Sequence, residues 1–239
     1  MKILKEKDYE SMTNKTIEVF MDILEKNKHK ERINVSVTGG NSPKLFYAKI
    51  ISILNQLTYL DKIHFYNFDE VPFRNDLSTG ITSKDLEELL FSKAKIKQEN
   101  IHRLNVLNYK EHMDKLYKDG GLDLVLLGIG IDGHFCGNMS GVTKFGDKTR
   151  LINNSDLEGN ISVPKLDMKL FHDQFVTMGP RDIMAARNII MIANGKGKAQ
   201  VIDQIINGPI IEKVPSTILT LHPFFTLILD EEANSIANA

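Results

Sequence analysis

The sequence predicts an α/β fold: an open, mostly parallel sheet with helices on both faces. Three observations predict it. Short apolar runs alternate with helix-patterned segments from end to end of the chain. Most of the apolar runs are nearly continuous, as strands buried on both faces are, where a strand with one wet face would alternate. Polar and glycine residues gather directly after these runs, at what would be the carboxyl edge of a parallel sheet.

In chain order, the pattern predicts a helix over Asp8 to Glu25, a strand over Ile33 to Thr38 and a helix over Pro43 to Leu54. Pro43 opens that helix, because a first-turn N–H has no intrahelical partner to lose. A strand over Ile63 to Phe68 and helices over Ser83 to Ser92 and Tyr109 to Lys118 follow. The last third reads as strand Leu122 to Leu127, helix Pro180 to Arg187, strand Asn188 to Ala193, helix Lys198 to Ile206 and strand Phe224 to Leu229. The most polar stretch, Gly146 to Asn160, reads as a surface loop able to close over a site.

The chain of 239 residues, 42% hydrophobic, is expected to form a single domain, residues 1–239, around one sizeable core. Thirty Lys plus Arg against thirty-one Asp plus Glu leave a formal charge of -1, no footprint for nucleic acid or an anionic membrane. An anionic ligand must therefore be held by a local device. The opening residues MKILKEKDYE lack the apolar core of a signal peptide, and no apolar run approaches the roughly 20 residues of a membrane span, so the expectation is a cytoplasmic protein. Self-association into a homo-oligomer is compatible with this composition. The single cysteine, Cys136, excludes an intrachain disulfide and a multi-cysteine zinc site, and reads as a small buried hydrophobe. Neither a metal nor a cofactor is expected.

Four segments deliver the candidate site. Thr38, Gly39, Gly40, Asn41 and Ser42 lead into Pro43, so a glycine turn presents backbone N–H groups at the positive end of a helix, a seat for a phosphate. Asp69 and Glu70 leave a strand side by side and point in different directions. One carboxylate can face the crevice as a general base while the other braces the loop. Gly128 to His134 brings Asp132 and His134 to a strand end, and imidazole suits proton shuttling near neutrality. Gly128-Ile129-Gly130-Ile131-Asp132-Gly133 also spells the dinucleotide fingerprint, but it lies mid-chain and runs into His134 where a helix should open, so nucleotide binding is not expected. Lys198, after Asn194-Gly195-Lys196-Gly197, can add a point charge to the phosphate.

The segments TGGNSP (Thr38 to Pro43), FDE (Phe68 to Glu70), GGLDLVLLGIGIDGH (Gly120 to His134), TMG (Thr177 to Gly179), NGKGKA (Asn194 to Ala199) and LHP (Leu221 to Pro223) together resemble the glucosamine-6-phosphate deaminase/isomerase and 6-phosphogluconolactonase superfamily. The resemblance spans nearly the whole chain. It implies a Rossmann-like fold without a dinucleotide and a phosphorylated hexose or hexosamine as substrate. Asp69 is implied as the base between C1 and C2, and His134 with Asp132 as the ring-opening group. The Gly39 to Ser42 turn and Lys198 are implied as the phosphate cradle, with Glu70 and Gly128 among the binding residues. Two positions depart from the pattern. Met139 stands where deaminases complete their Asp-His-Glu set, and Val71 stands where lactonases carry an arginine. No phosphate-binding arginine aligns, Arg181 being near in sequence but unmatched. The lead expectation is a deaminase/isomerase. The alternatives are a lactonase, with His134 activating water, and a binding module that kept the pocket without the chemistry.

Overall fold

The computed structural model describes residues 1–157 and 169–237. The strands are β1 (Lys2–Glu6), β2 (Ile33–Val37), β3 (Ile63–Asn67), β4 (Asp69–Glu70), β5 (Pro72–Phe73), β6 (Asp76–Gly80), β7 (Ile101–His102), β8 (Leu124–Leu127), β9 (Arg150–Asn153), β10 (Gln174–Thr177), β11 (Ile189–Ala193) and β12 (Phe225–Asp230). The helices are α1 (Tyr9–Asn27), α2 (Lys44–Leu54), α3 (Ile81–Leu86), α4 (Tyr109–Lys118), α5 (Pro180–Ile183) and α6 (Ala199–Asn207).

Seven strands form one parallel sheet in the order β1-β12-β11-β8-β2-β3-β7. Its five central strands are those expected from their apolar runs, to within two residues at each end. Successive side chains of a strand face opposite ways, and both faces here are buried. Leu124 and Leu126 of β8 join Phe20 of α1 and Phe46 of α2 in one core, while Val125 and Leu127 join Met113 of α4 and Ile202 of α6 in the other. Each such fully buried aliphatic side chain contributes about 1.5–3 kcal/mol. The chain winds outward from β2 through β3 to β7 and, in the other direction, from β8 through β11 to β12. The reversal lies between β2 and β8, and ligands of open α/β sheets bind outside the strand ends at such a point.

Local chemistry sets the boundaries. Asp8 does not begin α1 but caps it, accepting the Ser11 N–H at 2.8 Å. Pro43 likewise sits one residue ahead of α2. The expected helix over Ser83 to Ser92 begins earlier, at Ile81, and loosens into a π-helical turn over Glu87–Phe91. The expected helix over Pro180 to Arg187 is a single turn, α5, followed by turns that lead into β11 at Ile189. The stretch read as a loop, Gly146 to Asn160, is a loop only in part. It contains β9 and a 3₁₀ turn over Asn154–Leu157, and its last three residues lie outside the described residues. β9 pairs with β10, and β10 with β4, in a small antiparallel sheet beside the main one.

Candidate active site

A cleft of about 810 Å³ opens at the reversal point of the main sheet. Its walls come from the Thr38 to Pro43 turn after β2, Asp69 after β3, the Gly128 to Cys136 segment after β8, and Asn194 and Lys198 after β11. Four segments distant in sequence therefore meet at one carboxyl edge, as the strand-end chemistry predicts.

Asp69 is half-buried in the cleft wall. Its Oδ1 accepts a hydrogen bond from the Thr82 hydroxyl at 3.0 Å. Burial pushes its pKa up to about 6, against the opposing pulls of the Thr82 hydrogen bond and of His134. A carboxylate so poised is ionised at neutral pH yet more basic than an ordinary aspartate. Glu70, expected among the binding residues, is instead fully buried and does not line the cleft. Its Oε1 and Oε2 accept the N–H groups of Thr82 and Ser83, each at 2.8 Å. Glu70 therefore caps α3 and presents Thr82 to Asp69, while burial raises its pKa to about 7.

Opposite stands His134. Its Nδ1–H donates to Asp132 Oδ1 at 2.6 Å, and the His134 backbone N–H donates to the same oxygen at 3.2 Å. Holding the proton on Nδ1 leaves Nε2 as the nitrogen able to take one. The pair depends on Gly130. A Cβ there would lie 2.6 Å from Asp132 Oδ1 and well inside the van der Waals envelope of His134 Nδ1. The glycine of the apparent nucleotide fingerprint thus admits an imidazole, and no helix follows it.

Lys198 Nζ donates to the Ile129 carbonyl at 2.6 Å, tying the Asn194 to Lys198 loop to the wall that carries Asp132 and His134. Burial lowers its pKa, with Asp132 acting in the other direction. The Thr38 to Ser42 turn is fastened by Tyr9, whose hydroxyl donates to the Ser42 carbonyl at 2.9 Å and accepts the Leu45 N–H at 3.2 Å. Gly40, at a φ of 86°, takes the left-handed conformation that makes this turn possible.

Cys136 lines the cleft with a φ of 50°, an uncommon backbone for a side chain other than glycine. Burial, aided by the Asp69 charge, pushes its thiol well up, so it offers no thiolate. Met139 borders the cleft and packs with Val71 against Ile152, Leu157 and Phe175, an apolar patch at the position where a third acidic group was sought. The TMG segment supports this wall from behind. Thr177 Oγ1 accepts the Gly137 N–H at 2.9 Å, and the Asn138 side-chain amide donates to the Met178 carbonyl at 2.8 Å. Arg181 does not line the cleft. The LHP segment serves the far end of the sheet, where His222 Nε2–H donates to the Ala186 carbonyl at 2.8 Å. Sequence reasoning missed Tyr9, Thr82 and Asp85 in the cleft wall. Only the three-residue spacing of Thr82 and Asp85 on one helix face hinted at a joint role.

Comparison with known proteins matches this arrangement. Residues 7–224 match the family model for glucosamine-6-phosphate isomerases/6-phosphogluconolactonase. A glucosamine-6-phosphate deaminase of Clostridium novyi is 30% identical over 98% of this chain and 99% of its own. One from Thermoanaerobacter pseudethanolicus is 29% identical over 99% of this chain and 95% of its own. Among solved structures, a monomeric glucosamine-6-phosphate deaminase shares the fold with a TM-score of 0.80 at 23% identity, covering 99% of this chain and 100% of its own. The 6-phosphogluconolactonase of Trypanosoma cruzi does so with 0.77 at 20%, covering 100% of this chain and 97% of its own. With the family model spanning nearly the whole length and the relatives aligning end to end, the chain belongs to the glucosamine-6-phosphate isomerase/6-phosphogluconolactonase family.

Proposed function

We propose that this protein is a glucosamine-6-phosphate deaminase/isomerase acting through Asp69, Asp132 and His134. The observation that carries the reading is the pairing of two proton-transfer groups in one cleft. Asp69 is a carboxylate made more basic by burial, and His134 is an imidazole whose free nitrogen is selected by Asp132. Ring opening requires a group that moves a proton between the C1 hydroxyl and the ring oxygen, and His134 serves that step. In the open chain Asp69 takes the C2 proton and returns it to C1 while a proton passes from the amine nitrogen to O1, so the C1 aldehyde becomes a hydroxymethyl group and C2 carries an imine. Water adds to the imine and ammonia departs, so the products are ammonia and a ketose phosphate. The Thr38 to Ser42 turn and Lys198 hold the phosphate, with Gly128 at the floor between them and the acid/base groups.

Lactone hydrolysis is the second reading, and Met139 is the observation that favours it. His134 has Asp132 but no second carboxylate of the deaminase set, an arrangement sufficient to activate one water. Incubation with glucosamine 6-phosphate, fructose 6-phosphate plus ammonia, and 6-phosphogluconolactone separates the two. Ammonia release, reversed when ketose and ammonia are supplied, is the expected result. Lactone hydrolysis without any ammonia release would overturn it.

A further inference from the structure

The turn assigned to the phosphate already has an anionic partner. Asp85 of α3 lines the same cleft, and its Oδ2 accepts the Gly40 N–H at 3.0 Å. The fit is close, since a Cβ built on Gly39 would lie 3.1 Å from that oxygen. A carboxylate oxygen on a backbone N–H makes the contact a phosphoryl oxygen would make there. Among the described residues no lysine or arginine forms an ion pair with Asp85. A phosphate arriving at the turn therefore meets both an occupied donor and an uncompensated negative charge.

The mounting of Asp85 is specific. Glu70 fixes the first turn of α3 through the Thr82 and Ser83 N–H groups, and Thr82 places its hydroxyl on Asp69. Residues three apart on a helix share a face, so Thr82 and Asp85 both turn toward the cleft. A single short helix thereby touches the base with one side chain and the anion turn with another.

We infer that Asp85 is a specificity-determining residue that fills the phosphate seat of the free protein and is displaced by a phosphorylated sugar. The inference rests on the phosphate reading of the Thr38 to Ser42 turn given above. A sugar phosphate brings hydroxyl contacts that offset the displacement, whereas free phosphate brings none. Asp85 thus adds the same displacement cost to every anion, which a ligand with further contacts overcomes while inorganic phosphate and other small anions are left largely unbound.

The test is titration calorimetry of inorganic phosphate, glucosamine 6-phosphate and glucosamine into the parent, Asp85→Asn and Asp85→Ala, with circular dichroism to establish that each variant is folded. Both variants should bind inorganic phosphate about tenfold more tightly, and glucosamine 6-phosphate more tightly by a similar factor, because a like charge has been removed from the seat that both would occupy. A residue that merely braced the turn would weaken binding when replaced. Unchanged or weaker phosphate binding in both variants, with the parent still preferring the phosphorylated sugar to glucosamine, overturns the role of Asp85 and leaves the phosphate seat standing. Loss of glucosamine 6-phosphate binding with phosphate binding unchanged assigns Asp85 to the sugar's ammonium group and overturns it equally. A parent that binds glucosamine as well as its phosphate overturns both the seat and the competitor.

Discussion

Replacing Gly130 by alanine tests the acid/base pair without touching either member. The added methyl would stand 2.6 Å from Asp132 Oδ1, below the 3.0 Å that real Cβ contacts keep, and closer still to the His134 ring. Backbone cannot yield readily, because the Gly130 N–H donates to the His134 carbonyl at 2.8 Å and its carbonyl accepts the Gly133 N–H at 3.1 Å. The imidazole must swing away and lose its 2.6 Å bond to Asp132. A hydrogen bond to a charged group is worth about 1.5–3 kcal/mol. At the upper figure, orienting His134 accounts for roughly a hundredfold in rate, within the 10²–10⁴ range for general acid–base catalysis. The kcat for ammonia release should therefore fall about a hundredfold in Gly130→Ala. KM should change little, since the phosphate turn lies on another segment. Asp132→Asn, which keeps the shape and removes the charge, should fall in the same direction. An unchanged kcat in a folded Gly130→Ala protein would show that His134 is not held for catalysis by Asp132.

The remaining predictions address the base, the cation and the departure at Met139. Asp69 must be ionised to act and its pKa is raised to about 6, so kcat/KM should be full at neutral pH and fall as pH drops through about 6, with an acid limb near 4 refuting the assignment. Asp69→Asn should cut turnover by about 10²–10⁴ with binding retained, and persistent solvent-deuterium exchange at C2 in that variant would exclude Asp69 as the base. Lys198→Ala should weaken glucosamine 6-phosphate binding by about 2 kcal/mol, the scale of one charge-assisted hydrogen bond, and unchanged affinity by calorimetry would remove Lys198 from the cradle. Met139→Glu should raise ammonia release without improving lactone hydrolysis. It should also lower the Tm, because the new carboxylate borders the apolar patch of Ile152, Leu157 and Phe175.

The sequence announced the central strands because both their faces are buried, which forces continuous apolar runs. It hid the others for physical reasons. β1, with the sequence KILKE, is an edge strand whose charged residues protect an unpaired side, so it does not look like a core strand. β7 and β4 are two residues each, too short for any periodicity. The site was readable where it is local. Asp132 and His134 lie two residues apart on one loop, and Asp69 follows its strand directly. Glu70 and Asp85 were not readable, since what each carboxylate touches depends on how α3 folds back across the cleft. Glu70 reaches residues 12 and 13 positions away, and Asp85 reaches one 45 positions away. A doublet such as Asp69-Glu70 states that two carboxylates diverge, but which one turns inward is decided by the helix that needs a cap.

Between β3 and β4 only Phe68 intervenes, so Asp69 stands where the backbone passes from the large sheet to the small one. Its position is set by a ladder of just two pairs, Glu70 with Val176 and Asp69 with Thr177. The same strand, β10, reaches the other wall of the cleft, because Thr177 Oγ1 accepts the Gly137 N–H and the Met178 carbonyl accepts the Asn138 amide, both just beyond His134 on the loop after β8. Thr177 thus meets Asp69 through its backbone and the His134 loop through its hydroxyl. A substitution in β10 is therefore felt on both walls at once, and the small antiparallel sheet serves as a common brace for two segments that lie 65 positions apart in the chain, Asp69 and His134.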